Sequence, residues 1–91
     1  VFGLRATNIN PELAAQLGIE DTRGVVVSEV QPGSPAEEAG LQRGDIIEEV
    51  DREEVESVRQ LSDLLKKSGD SVLVLIRRGD ATLYIPMKRS G

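Results

Sequence analysis

At 91 residues the chain has room for one small domain with a modest core, and so for one function. Its formal charge of −5, with Phe2 and Tyr84 as the only aromatic residues, argues against a nucleic-acid surface, which needs a basic groove and stacking platforms. It holds neither histidine nor cysteine, which removes Ser-His-Asp, Cys-His and zinc-histidine chemistry in one step and leaves the redox compartment open.

The chain opens on Phe2-Gly3-Leu4, two apolar residues around a glycine, and runs on as a strand over residues 4–9. Asn10 is placed to cap a helix with Pro11 at its first position, Leu13, Ala14 and Leu17 on its buried side, and Gly18 at its end. A polar loop over residues 20–24 follows. Val25–Val30 is rich enough in β-branched residues to be a central strand. Ser34 and Pro35 start a second short helix that reaches Ala39, and Gly40 supplies the left-handed residue beyond it. Gly44-Asp45 then makes the tight turn that launches Ile46, Ile47 and Val50. Arg43-Gly44-Asp45 also spells a cell-adhesion tripeptide, but three residues match by chance often and the turn already accounts for them.

Residues 46–50 and 54–58 form a hairpin across Asp51-Arg52-Glu53, with Glu48, Glu49, Glu53, Glu54 and Glu56 facing outward as a solvated charge run. No spaced Asp-x-Asp-x-Asp-Gly loop accompanies these carboxylates, so no metal is expected. Ser57 caps a helix that runs to Lys67, with Leu61 and Leu64 in the core and Gly69 as its stop. Residues 72–77 and 81–87 are two strands joined by Arg78-Gly79-Asp80, and Pro86 puts the last strand at an edge or at its end. A Ser-Lys dyad is the one catalytic option left. Ser57, Ser62 and Ser68 read instead as a cap, a helix surface and a helix end. Neither a Gly-x-Gly-x-x-Gly nor a Walker-type loop occurs, and no cofactor is expected.

Gly33-Ser34-Pro35-Ala36, together with Gly40-Leu41-Gln42-Arg43-Gly44-Asp45-Ile46-Ile47, resembles the signature of PDZ domains, and more narrowly of those attached to bacterial HtrA/Do-type serine proteases. The resemblance implies an α+β fold: a small β-sandwich or partly open barrel of five to six strands with two to three helices, in the HtrA-type permuted order. It matches Phe2-Gly3-Leu4 to the apolar-Gly-apolar carboxylate loop. A peptide groove would lie between strand 4–9 and helix 57–67, with Phe2, Gly3, Leu4, Arg5, Ala6, Val58, Ser62 and Leu65 as its residues. Phe2, Leu4, Ala6 and Leu65 would hold the last apolar side chain of a peptide. Val58 would face the third-from-last residue. Relatives that favour Ser or Thr there carry His at this helix position, so an apolar preference is expected. One departure is Asp51-Arg52, where relatives carry Asn-Gly.

The runs 50–58 and 77–85 look most like the C-terminal, second PDZ domain of a periplasmic Do-like protease. The resemblance thus implies that residues 1–91 are a single domain cut from a longer serine endopeptidase, itself non-catalytic, without cofactor or metal. Its partners would be hydrophobic C-termini of misfolded or regulatory proteins, unfolded proteins, and the protease and PDZ domains of the parent oligomer. Neither nucleic acid nor membrane insertion is implied. The alternatives are an assembly or regulatory domain with no free ligand, or a PDZ domain of another envelope protease, of the site-2 or C-terminal-processing type.

Overall fold

A computed structural model describes residues 2–18 and 24–88. The elements in order are β1 (Leu4–Asn8), α1 (Pro11–Leu17), β2 (Val25–Val30), α2 (Pro35–Ala39), β3 (Ile46–Val50), β4 (Glu53–Glu54), α3 (Val58–Lys67), β5 (Ser71–Arg78) and β6 (Ala81–Lys88). The strands form one open antiparallel sheet in the order β1-β2-β3-β5-β6, with β4 also paired to β3. Six strands and three helices fall within the expected α+β class. Most of the loop expected over 20–24 lies outside the described residues.

Alternation along the strands decides which face each residue serves. Val25 and Val27 of β2 and Val72, Val74 and Ile76 of β5 alternate onto one face, and an irregularity between Ile47 and Glu49 brings both Ile47 and Val50 of β3 to it as well. There they meet Phe2, Ala36 of α2, and Leu61 and Leu65 of α3 in the main core. Val26 and Ile46 point to the other face and are covered by α1 through Ala14, with Ile9 beside them. The seven-residue α1 reaches the sheet through its first turn, so Leu17, read as buried, is 39% exposed. Leu64, read as core, is half-buried at the margin, while Leu65 is fully in it.

The caps form where the side chains dictate. Asn10, Ser34 and Ser57 each accept the amide three residues on, from Leu13, Glu37 and Gln60. Gly40 ends α2 at φ +99, a conformation that costs other residues dearly. The stop of α3 differs from expectation. It is Ser68, in extended conformation, rather than Gly69: Ser68 donates its N–H to Leu64 O at 3.1 Å and its hydroxyl to the same oxygen at 3.0 Å.

The acidic hairpin is shorter than its sequence indicates. Its second strand is Glu53–Glu54 rather than 54–58, because the approach to α3 claims the next residues. Val55 is buried and gives its N–H to Glu48 O at 3.0 Å. Gln60 then takes the Glu56 N–H and donates to Glu54 O, both at 2.8 Å. The turn itself is Asp51-Arg52, both at positive φ, +50 and +68. Asp51 earns its place through its carboxylate, which accepts Leu73 N–H at 2.9 Å and the Ser68 hydroxyl at 3.1 Å. Glu48, expected to face outward, is half-buried and paired with Arg77 at 2.8 Å.

Candidate functional site

β1 ends the sheet order, pairing with β2, and α3 lies beside it. Between them opens a groove of about 370 Å³. Of the eight residues expected there, seven line it: Phe2, Leu4, Arg5, Ala6, Val58, Ser62 and Leu65. They come together because β1 alternates, with Leu4 and Ala6 half-buried toward the helix and Thr7 exposed. Val58, Ser62 and Leu65 follow at the three-and-four spacing that keeps a helix face together. Phe2 is 1% exposed, so it forms floor more than wall.

Leu61 and Ser28 also line the groove and were not read from the sequence. Leu61, expected to be mostly core, is buried in the core and also lines the groove. Ser28 depends on a register shift: Arg5 faces Glu29 and Ala6 faces Val27, which leaves Ser28 as the extra residue of a bulge in β2. No local sequence signal marks that bulge. At the rim, Arg5 lies 3.6 Å from Glu29, with both side chains mostly exposed, so the pair contributes little.

Gly3 is the eighth residue, and it serves the site from behind. It sits at φ +81, and a Cβ built on it would fall 2.1 Å from the Cβ of Ser34. The Phe2-Gly3-Leu4 loop is therefore pressed onto the cap of α2. Phe2 O accepts from Ala36 N at 3.0 Å, and Gly3 O accepts from Gln31 N at 2.8 Å. In a trans peptide the N–H points opposite to the C=O. The amide N–H groups of Gly3 and Leu4 are thus turned away from α2 and from the end of β2. Ser34 is buried and itself fixed, donating to Gln31 O at 2.6 Å. The Gly-Ser-Pro-Ala stretch is the bed on which the loop lies.

The second half of the signature folds the far side of α2. Asp45 is 2% exposed, accepts Gln42 N–H at 2.9 Å, and is gripped by Arg78. This hydrogen bond, with the charge of Asp45, holds the Arg78 guanidinium above its ordinary pKa. A carboxylate so enclosed offers nothing to an adhesion receptor, which agrees with setting the tripeptide aside. A smaller pocket of about 200 Å³ lies near β4, lined by Glu48, Glu49, Glu54, Glu56, Val55, Gly24 and Arg77. Among the described residues no three His, Cys, Asp or Glu side chains are grouped to hold a metal.

An open antiparallel sheet whose edge strand borders a helix-flanked groove, with a glycine loop at one end, defines a peptide-module architecture. Residues 26–78, more than half of the chain, match the PDZ domain family, and the chain belongs to it. Its relatives narrow the type. Over 89 residues it is 43% identical to the probable periplasmic serine endoprotease DegP-like of Chlamydia trachomatis, covering 96% of this chain and 18% of that protein. It is 35% identical over 66 residues to periplasmic serine endoprotease DegP of Escherichia coli K12, covering 72% and 14%. Among solved structures, the HtrA3 PDZ domain bound to a phage-derived ligand (FGRWV) superposes at TM-score 0.88 with 29% identity, over 99% of this chain and 84% of that one. The HtrA-type protease AlgW with a decapeptide gives 0.83 and 26%, over 97% and 28%. The chain is thus a PDZ domain of the HtrA kind. It spans under a fifth of the curated relatives named here, and it is not their catalytic domain.

Proposed function

We propose that the groove captures the hydrophobic C-terminus of a protein, which adds to β1 as one more antiparallel strand. The observation that carries this reading is the pair of inward carbonyls at Phe2 and Gly3, which leaves the Gly3 and Leu4 N–H groups turned away from the domain's interior. Convergent backbone N–H groups are what an ionised carboxylate needs. Leu4, Ala6 and Leu65, over the Phe2 floor, offer an apolar pocket for the last side chain, and Val58 offers an apolar neighbour for the third-from-last. The ligand-bound HtrA3 domain and peptide-bound AlgW support the same use of the fold. The parent is a periplasmic serine endoprotease of the Do type, with this segment as its second PDZ domain, presenting misfolded or regulatory envelope proteins to a separate catalytic domain.

The test is a chemical-shift titration with a short peptide ending in an apolar residue, as free acid and as C-terminal amide. The amides of Gly3 and Leu4 shift with the free acid. Charge-assisted hydrogen bonds contribute roughly 1.5–3 kcal/mol, so the amide form binds about ten- to a hundredfold more weakly. Equal affinities would mean the loop is only a terminal strand. Silence at Gly3 and Leu4 would leave an assembly domain without a free ligand.

A further inference from the structure

Helix α3 forms one wall of the groove, and its first turn is held both by a local cap and by a side chain from a distant strand. Ser57 already caps it locally through the Gln60 amide. The N–H of Val58 is one of the first four that a helix cannot satisfy within itself. It is taken by Asn8 Oδ1 at 2.7 Å, across 50 residues of sequence. Asn8 is the last residue of β1 and is fixed in the sheet opposite Val25. On the far side, Gln60 ties the same turn to Glu54 and Glu56. Val58 therefore stands at a set distance from β1.

This matters for what the groove accepts. A strand added antiparallel to β1, with its C-terminus at Gly3 and Leu4, runs toward Asn8 at about 3.4 Å per residue. Side chains of its last and third-from-last residues share a face, and the latter comes up beside Val58. We propose that Asn8 is a positioning residue: by tying Val58 to β1 it fixes the groove's width there and limits the size of the third-from-last side chain. The inference rests on the peptide-capture reading above. The bond is solvent-exposed, so water can take the Val58 N–H when Asn8 is shortened, and the fold survives.

The experiment is calorimetry on the full chain with two free-acid peptides that differ only in Val or Trp at the third-from-last position. The unmodified protein favours Val by about tenfold or more, Asn8→Ala narrows the preference to about threefold or less, and Asn8→Asp, which keeps the acceptor oxygen, restores it. Thermal melts establish that each variant is folded. An unchanged ratio in folded Asn8→Ala overturns the proposal, as does an equal loss of both peptides, which a merely structural residue would give. Binding of neither peptide by the unmodified protein overturns the groove reading itself and this inference with it, an outcome distinct from the other two.

Discussion

Arg78 and Asp45, 33 residues apart, form a two-pronged ion pair, Nε to Oδ1 at 2.9 Å and Nη2 to Oδ2 at 2.8 Å. The same Nη2 donates to Gly40 O at 2.9 Å, so one guanidinium joins the end of β5, the cap of α2 and the turn before β3. The Asp45 side chain is 3% exposed and Arg78 covers it from the solvent side. Removing either partner strands the other, and a buried carboxylate without its cation is the worse loss. Asp45→Ala and Arg78→Met each lower the melting temperature, and the double variant falls by clearly less than the sum of the two. Additive losses in a thermal double-mutant cycle would mean that the pair is not coupled.

Gly3 depends on Ser34. The positive φ at Gly3 costs any other residue about 1–2 kcal/mol, and the 2.1 Å approach to Ser34 Cβ adds to it. Gly3→Ala therefore destabilises by about 2 kcal/mol or more and weakens peptide binding with it. The collision of an added side chain falls on the cap of α2 at Ser34. Adding Ser34→Gly, which removes the clashing Cβ at little cost to the cap, returns part of the stability. Chemical denaturation of the single and double variants reads this directly. No recovery in the double variant would assign the whole cost to the backbone angle.

Val58 is the first residue of α3 and half-buried at the groove. Aspartate is welcome in the first turn of a helix, so Val58→Asp leaves the fold standing. A charge facing an apolar third-from-last side chain lowers affinity by about tenfold or more. Calorimetry with one apolar peptide checks it. Unchanged affinity in a folded variant would mean that another residue of α3 faces that position.

The turn between β3 and β4 carries separable costs. Arg52 at φ +68 is strained, and Arg52→Gly relieves that strain at the expense of chain entropy, for a net gain of about 0.5–1 kcal/mol. Asp51→Ala loses the acceptor of Leu73 N–H and of the Ser68 hydroxyl and costs about 1 kcal/mol. Urea midpoints of the two variants should move in opposite directions.

The sequence by itself determined most of the local structure. Asn10, Ser34 and Ser57 cap the helices they announce, Gly40 takes its left-handed place, and β2, β3, β5 and β6 lie where β-branched residues gather, because caps, turns and alternation are decided within a few residues. Seven of the eight expected groove residues also meet, since strand and helix periodicity fix their faces once the two elements are neighbours. What required tertiary structure were the contacts between distant segments. Asp51 reaches Ser68, at the end of α3, from the turn between β3 and β4. Gly3 is held by Ser34 rather than kept open for an anion alone, Ser28 enters the groove through a bulge, and Asp45 is buried because Arg78 arrives from 33 residues away. Each of these is a side-chain contact or a register whose partner is chosen by how the sheet closes up in space. Residue order along the chain carries no record of that distance.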